Sequence, residues 1–572
     1  MRTARPSLRL GLILEDSQSP LWVHSLIEQL RAAAHLEVVA IVFCGRPRTR
    51  RSIPFLLRLW LLLEKWYLGE AASPWLPTSK TYPIETIHLT PFLGSGMGNC
   101  SEPGLTRIHA LDLDVLIQLG SSELPPAIFE CARYGVWSGG YLGYPNAAPE
   151  QALLSAMYYG RRTCELILRS TRGKQRSYVL YQGSIDTHPV SLYKNLMLDQ
   201  QRRSQILLRR LFNLFDRGWD SIAIDEDHAE VTDKVRGQGT GLLFLARLFA
   251  RCVRRAVSKL WFEEQWIIGV SSERDPFTAP AKTLQQPITV VVPRPGHNHA
   301  DPFLFARDRK TYMFFEHWQT RTRGAIHCAE LGPDGVPIET RQVLACEYHL
   351  SYPCVFQWRD ETYMLPETQQ NKTVEVYRAI DFPWRWERAA VLLKDVAAAD
   401  PTIFEYQGKL WLFVSGVGGA ALNSSELSLF FCDSLFGEWQ PHPGNPIVCD
   451  VRRARPAGAL FTRAGVLIRP GQDSSIRYGC AITLNRVEVL SETDYREVPI
   501  ATILPNWIPG ICATHTLNRS SGIQVLDAVA RRPRYASLSR RYSAAWLVPN
   551  HAYHLRGDFI KKGTIRRPSV GQ

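Results

Sequence analysis

The sequence lacks paired cysteines. Its twelve are scattered singly from Cys44 to Cys512, with no Cys-x-x-Cys among them. That spacing excludes a zinc ribbon and a thioredoxin-type redox site. In a chain this large, lone thiols point to reduced, buried cysteines of a cytoplasmic protein rather than to a disulfide framework. Long hydrophobic runs are missing too. Leu8–Leu14 is too short for a signal h-region and has no small-residue cleavage site, so it reads as a first strand. Pro54–Leu68 (PFLLRLWLLLEKWYL) carries Arg58, Glu64 and Lys65 and falls short of the roughly 18 apolar residues that span a bilayer. It reads as a buried or interfacial helix. The glycine-rich Gly237–Gly241 (GQGTG) is not followed by Lys-Ser/Thr, so no phosphate loop is written there. No cofactor motif is found.

What is present is an ordinary globular composition, with 45% hydrophobic, 10% aromatic and 21% charged residues over 572 positions. Such a chain folds, into two or three domains. Lys and Arg outnumber Asp and Glu by 67 to 54, a net charge of +13 that favours anionic partners. No specific nucleic-acid motif accompanies it.

Residues 1–215 alternate strand-like and helix-like segments. Leu8–Leu14, Leu36–Phe43 and Val115–Leu119 read as strands, while Leu21–Ala34 and Pro125–Tyr134 read as helices. Alternation of this kind predicts an α/β domain with a mostly parallel sheet. Asp114–Gly120 (DVLIQLG) followed by Ala132–Ser138 (ARYGVWS) resembles the central part of the formyltransferase fold. The resemblance implies an Asn-x-His pair and a downstream Asp that move a proton. Here Ser138-Gly139-Gly140-Tyr141 stands where the His belongs, and glycine offers nothing that titrates. The domain therefore reads as formyltransferase-like in fold and degenerate in that activity. Asp186 and His188 form a second acid–base candidate, with a turn-forming Asp and a surface His before Pro189 as the plainer reading.

Residues 216–262 read as a basic helical connector, because Gln201–Phe215 and Gly241–Phe262 both place apolar residues at helical spacing with arginines between them. Two readings stand: an anionic membrane surface, which would make the protein peripheral at the membrane, or packing between domains with the arginines in solvent.

From residue 300 the chain repeats. Asp301-Pro-Phe-Leu-Phe…Lys310-Thr-Tyr-Met-Phe-Phe-Glu316 is echoed by Tyr352-Pro-Cys-Val-Phe…Glu361-Thr-Tyr-Met-Leu-Pro-Glu367, by Asp400-Pro-Thr-Ile-Phe…Lys409-Leu-Trp-Leu-Phe-Val-Ser415, and by Arg455-Pro-Ala…Arg469-Pro-Gly-Gln472-Asp473. The prolines stand 51, 48 and 55 residues apart, and each unit is strand, tight turn, strand. That period is the arithmetic of β-propeller blades. With a remnant at Gly510–Ala528 and a lone strand Gln265–Val270 to close the ring, residues 263–530 predict an all-β five-bladed propeller. The basic tail 531–572 reads as partly disordered or as an anion-binding arm.

Symmetry converges equivalent positions on the axis. Asp301, Asp400, Glu367 and Glu316 are the catalytic candidates, with His299, His317, Tyr352, Arg455, Arg469, Gln472, Asp473 and His515 as substrate-binding candidates. His297, Asn298 and His299 also suggest a metal site, but packing or substrate contact suits His-x-His better, and no metal is expected. An Asp-Pro at a blade start equally caps a turn.

These motifs resemble the five-bladed propeller clan of arabinanases, xylosidases, invertases and levansucrases. That resemblance implies Asp301 as base or nucleophile, Asp400 as transition-state stabiliser, and Glu367 or Glu316 as acid. The "ADPFLF…YMFFE" and "HLSYP…YMLPET" motifs are more closely similar to the N-terminal propeller region of plant glucosamine inositolphosphorylceramide transferases, over about 250 residues. The glycosyltransferase domain of those proteins has no counterpart here. Glycoside cleavage needs one protonated and one ionised carboxyl group astride the bond. The expectation is a carbohydrate-active protein, hydrolase or transferase, acting on a glycan, glycolipid or nucleotide-sugar. The alternatives are a non-catalytic glycan-binding propeller and a formyl or acyl transferase on an amino sugar.

Overall fold

A computed structural model describes residues 6–15, 18–44, 60–64, 77–89, 102–120, 124–142, 149–173, 176–225, 241–272, 288–333, 335–534 and 553–554. The chain divides into two compact units, Met1–Val257 and Ser258–Gln572. Gly237–Thr240 of the glycine-rich segment and most of the basic tail lie outside the described residues; Arg531 and Arg532 of that tail belong to a strand. Of Pro54–Leu68, the described stretch 60–64 is helical.

In the first unit, β1 (Leu8–Leu14) is the middle one of the five parallel strands of an eight-stranded sheet. It pairs in parallel with β2 (Leu36–Phe43) on one side and β4 (Val115–Gln118) on the other. Outside them, β3 (Glu85–His88) and β5 (Val136–Tyr141) extend the parallel part. Then β6 (Thr163–Arg172), β7 (Arg176–Asp186) and β8 (Ile224–Asp225) are added antiparallel. The sheet is thus mixed, with three of its seven pairings antiparallel. The α/β reading holds at that level. β1 buries all but one of its residues and β2 is buried over Ala40–Val42, the near-continuous apolar character of strands covered on both faces. The helix expected over 125–134 is only a 3-10 turn at Pro126–Glu130. Five residues are too few to fix a longer helix without a periodic apolar face.

The second acid–base candidate does not assemble. Asp186 pairs with Arg202, while His188 exchanges two backbone hydrogen bonds with Asn195 and is driven down to about 4 by burial and by Arg255 and Lys194. Tyr141, where a formyltransferase-type His would stand, donates to Asp199 at 2.6 Å, and Arg203 donates to the same oxygen.

The second unit is a five-bladed propeller. Four blades follow one another as four-stranded antiparallel sheets: 297–344, 351–394, 399–441 and 461–503. The fifth is made from both ends of the unit. Ile511–Ala513 and Leu517–Ser520 lie against Ile523–Pro533, which pairs along its whole length with Phe262–Ser272, and that strand pairs with Ile288–Val291. The lone strand of the sequence reading therefore closes the ring, which removes the open sheet edges that would otherwise pair with other chains.

Local chemistry explains the regularity. In four blades the first hairpin turns through two residues with positive φ: Asp308-Arg309, Gln407-Gly408, Ala464-Gly465 and Ser521-Gly522. This is the mirror-image turn whose twist matches that of the flanking strands. Apolar residues from successive blades fill the gaps between them, as where Phe303, Tyr352, Cys354, Leu365, Val376 and Leu412 meet.

Candidate functional site

Each of the first three blades begins with an X-Pro dipeptide at which the inner strand slips register against the second strand, between Ala300 and Phe303, Ser351 and Cys354, and Ala399 and Thr402. The residue before each proline, Asp301, Tyr352 or Asp400, has φ of 50, 47 or 49°. A left-handed backbone is costly for such residues, and a following proline further restricts it. The same bulge thus re-aims one side chain per blade away from the alternating pattern of the strand.

Asp301 is buried. Its Oδ1 accepts from Thr516 Oγ1 at 2.7 Å, and His515 Nε2 lies 3.7 Å from the same oxygen. The other imidazole nitrogen, His515 Nδ1, is 2.6 Å from Asp527. Asp527 also accepts the backbone N–H groups of Asp301, His515 and Thr516, so one carboxylate orients both members of the pair. Burial raises the Asp301 carboxyl to about 7, assisted by Asp400, Asp527 and Glu316 and opposed by His515. Burial pushes His515 down, yet Asp527 and Asp301 outweigh it and hold the imidazole up at about 9. The ring is stacked on Trp266 at 4.3 Å and meets Tyr478 edge-on.

A second group lies across blades two to four. Arg455 donates to both oxygens of Asp400, at 2.6 and 3.2 Å, and reaches Glu367 at 3.5 Å. Gln472 adds a third donor to Asp400 at 2.7 Å. Glu367 accepts the backbone N–H of Asp400 and is held well above the carboxylate range by burial and by Asp400, against the pull of Arg455. Asp527 and Glu367 therefore do the same thing in two places: each is a second-strand carboxylate of one blade holding the left-handed Asp of the next. Glu316 pairs with His349 at 3.0 Å; burial raises its carboxyl, while His349 is raised by that same contact.

Asp301, Asp400, Glu316, Glu367, Arg455, Gln472 and His515 are thus gathered at the hub. Other expected residues go elsewhere. Arg469 is paired through two bonds of 2.7 Å to Glu497, fully buried. The physical reason is parity: side chains alternate along a strand, so Arg469 and Asp473 face opposite to Gln472. Asp473 accepts the Ser475 N–H and is only half-buried. His299 and His317 bond to each other at 3.1 Å, and His317 bonds onward to His297 at 3.2 Å. Burial and the neighbouring imidazoles hold His299 down at about 3. The three half-buried rings thus form a hydrogen-bonded chain centred on His317. The oxygens and nitrogens of Asp301, His515 and Asp527 lie within 4.8 Å of one another, which is metal-ligand spacing, but both imidazole nitrogens already face a carboxylate.

Asp527, His349, Tyr478 and Trp266 are hub residues that the repeat did not indicate.

Residues 266–515 match the family model described as glucosamine inositolphosphorylceramide transferase 1, N-terminal. The matched span holds every hub residue named above except Asp527. Proteins of that name from Oryza sativa subsp. japonica and Arabidopsis thaliana are each 36% identical over 211 residues, 36% of this chain. The match spans only 28% of the length of those relatives. Among solved structures, a β-xylosidase is similar at 13% identity with a TM-score of 0.30, covering 43% of this chain and 97% of its own. An exo-β-1,3-galactanase from Clostridium thermocellum is similar at 13% identity with a TM-score of 0.31, covering 41% and 59%. The blade count stands on the strand pairings, not on these likenesses.

Tyr352 occupies the hub position of blade two without ionising there, since burial and the nearby Asp400 hold its phenol well above the usual range. Its hydroxyl bonds Thr402 Oγ1 at 2.9 Å and accepts the Gly458 N–H at 2.6 Å, tying blade two to blades three and four. Gly458 has φ of 122°, and a Cβ there would lie 1.9 Å from the Leu517 carbonyl, so the backbone passes too closely for any side chain. Tyr352→Phe keeps the ring but strands that buried N–H, and is expected to cost about 1–3 kcal/mol. Thermal unfolding of the variant checks it; an unchanged transition would show that the hydroxyl is dispensable.

Proposed function

We propose that the propeller hub is a carbohydrate-processing site in which Asp301 moves the proton and His515 sets its charge. The observation that carries this reading is the concentration of buried ionisable groups, drawn from all five blades, around one axis. Burying charge opposes folding unless each group is paired, and such clusters mark functional sites more often than they stabilise a fold. A carboxyl held near 7 exists in both protonation states at neutral pH, as an acid or base in glycosyl transfer requires. Asp400, with three donors on its oxygens, is the negative charge that would face an oxocarbenium-like transition state. The name of the plant relatives joins an amino sugar to an inositolphosphorylceramide lipid. That substrate class, a sugar on a glycolipid, is the one we assign to this hub.

One observation favours a second reading, a glycan-binding propeller without chemistry: Arg455 and Gln472 leave Asp400 few free lone pairs.

The test uses the full chain with a glucosamine-bearing inositolphosphorylceramide and measures release or transfer of the amino sugar. Asp301→Asn is the informative variant, because asparagine tolerates the left-handed backbone at this site. Turnover is expected to fall about a hundredfold with the fold retained. Undiminished turnover in the variant would end the proton-transfer role. Saturable binding without turnover, lost on substitution, would select the binding module.

A further inference from the structure

The helix Gly241–Trp261, most of which belongs to the first unit, turns its faces the wrong way round for a globular protein. At about 100° per residue, Ala246, Phe249, Val253, Ala256, Val257 and Leu260 share one face. All six are exposed, Phe249 by 71% and Leu260 by 63%. The opposite face, on which Phe244 and Leu248 are buried, is the one that docks, and it does so largely through arginines. Arg251 donates to the carbonyls of Met157 and Pro189, Arg247 lies over the Tyr158 ring at 5.0 Å, and Arg255 reaches His188. The apolar face of this helix therefore does not pack among the described residues, while Arg247, Arg254 and Arg255 are exposed and Arg251 is part-buried. Arg254 and Lys259 flank the outward stripe on either side, and the helix contains five cations and no acidic residue.

From this arrangement we infer that this helix is an interfacial anchor whose outward apolar stripe enters the headgroup region of an anionic lipid bilayer, with Arg254 and Lys259 on the lipid phosphates. A contiguous apolar stripe in water is a liability unless something covers it. Charge decides what. A second copy of the same helix would bring five more cations against these five, and nucleic acid would have no use for exposed Phe, Val and Leu. A negatively charged bilayer satisfies both the stripe and its rim. Among the described residues no helix is long and apolar enough to cross a membrane, so the contact lies in the surface plane.

Flotation of the full chain with phosphatidylcholine vesicles, with and without phosphatidylserine, tests the inference. Binding is expected to need phosphatidylserine and to weaken about fivefold for each of Arg254 and Lys259 replaced by Gln. Phe249→Ser with Leu260→Ser, both on exposed positions that the fold does not use, is expected to weaken it by about tenfold or more. Replacing chloride with inorganic phosphate at equal ionic strength is expected to leave flotation unchanged. The inference is overturned if the wild type does not float, if the double Ser variant floats as well as wild type, if free phosphate displaces the protein, or if a polynucleotide binds wild type and double Ser variant alike while vesicles bind neither. Asp301→Asn serves as a control that separates this surface from the hub, since it is expected to float as wild type does.

Discussion

Arg455→Met is expected to destabilise the propeller by about 3–5 kcal/mol, and Asp400→Asn in the same chain to restore much of that loss. Arg455 is a buried cation between two buried carboxyl groups, and its own pKa is raised by Asp400, Tyr478 and Glu367 against the cost of burial. Methionine fills a similar volume, so the loss comes from the orphaned charge and not from a cavity. Removing one partner of a buried pair leaves the other without compensation, whereas removing both returns a neutral interior. The double variant therefore separates charge from packing. The readout is hydrogen exchange in peptides covering Ala399–Ser415, because a chain of two units does not unfold as one two-state transition. If the single variant exchanges as slowly as wild type, the Arg455 contacts hold nothing together. If Asp400→Asn gives no relief, the loss was packing after all.

The propeller was legible because its physics is local. A two-residue turn with positive φ and an X-Pro bulge must each be written in particular residues, and both recur at blade spacing. From those landmarks Asp301, Asp400, Glu316 and Glu367 follow by counting. Gln472 stands seven residues past its turn, as Glu316, Glu367 and Ser415 stand past theirs. Asp527 stands only five past Ser521-Gly522, so counting misses it, although it fixes the geometry of blade one. His349 and Tyr478 lie outside the strands, where no period operates. Distance along the repeat brings Arg469 to the hub, but its parity along the strand turns it away to Glu497. In the helix Gly241–Trp261 the apolar stripe is equally visible, but a period shows only that a helix has two unlike faces, and the docking of Arg251 decides which is outward.

Asp527→Ala is expected to cost about 3–5 kcal/mol, since it strands three buried backbone N–H groups and removes the partner of a charged His515. What distinguishes it from an ordinary core lesion is pH. In wild type His515 is raised from its ordinary 6.5 to about 9, so its contribution to stability is complete below 6.5 and disappears as pH rises through 9. A shift of that size corresponds to roughly 3 kcal/mol across the window. Asp301, raised from 3.8 to about 7, acts in the same direction at lower pH: the protonated form is favoured by folding, and stability declines as pH climbs from about 4 towards 7. Together they predict a propeller that weakens steadily towards alkali. Without Asp527, burial pushes His515 down against only Asp301 and Asp400, so the loss between 6.5 and 9 should shrink while the Asp301 limb remains. Thermal unfolding of the propeller in the two proteins, followed from about pH 4 to about pH 9, measures both limbs. An alkaline limb that persists undiminished in the variant would assign it to some other group and remove His515 from its place as the charge facing Asp301. Loss of the acid limb as well would mean that Asp527, by holding the Asp301 N–H, had been setting the environment of both, and the hub would then behave as one titrating unit instead of two.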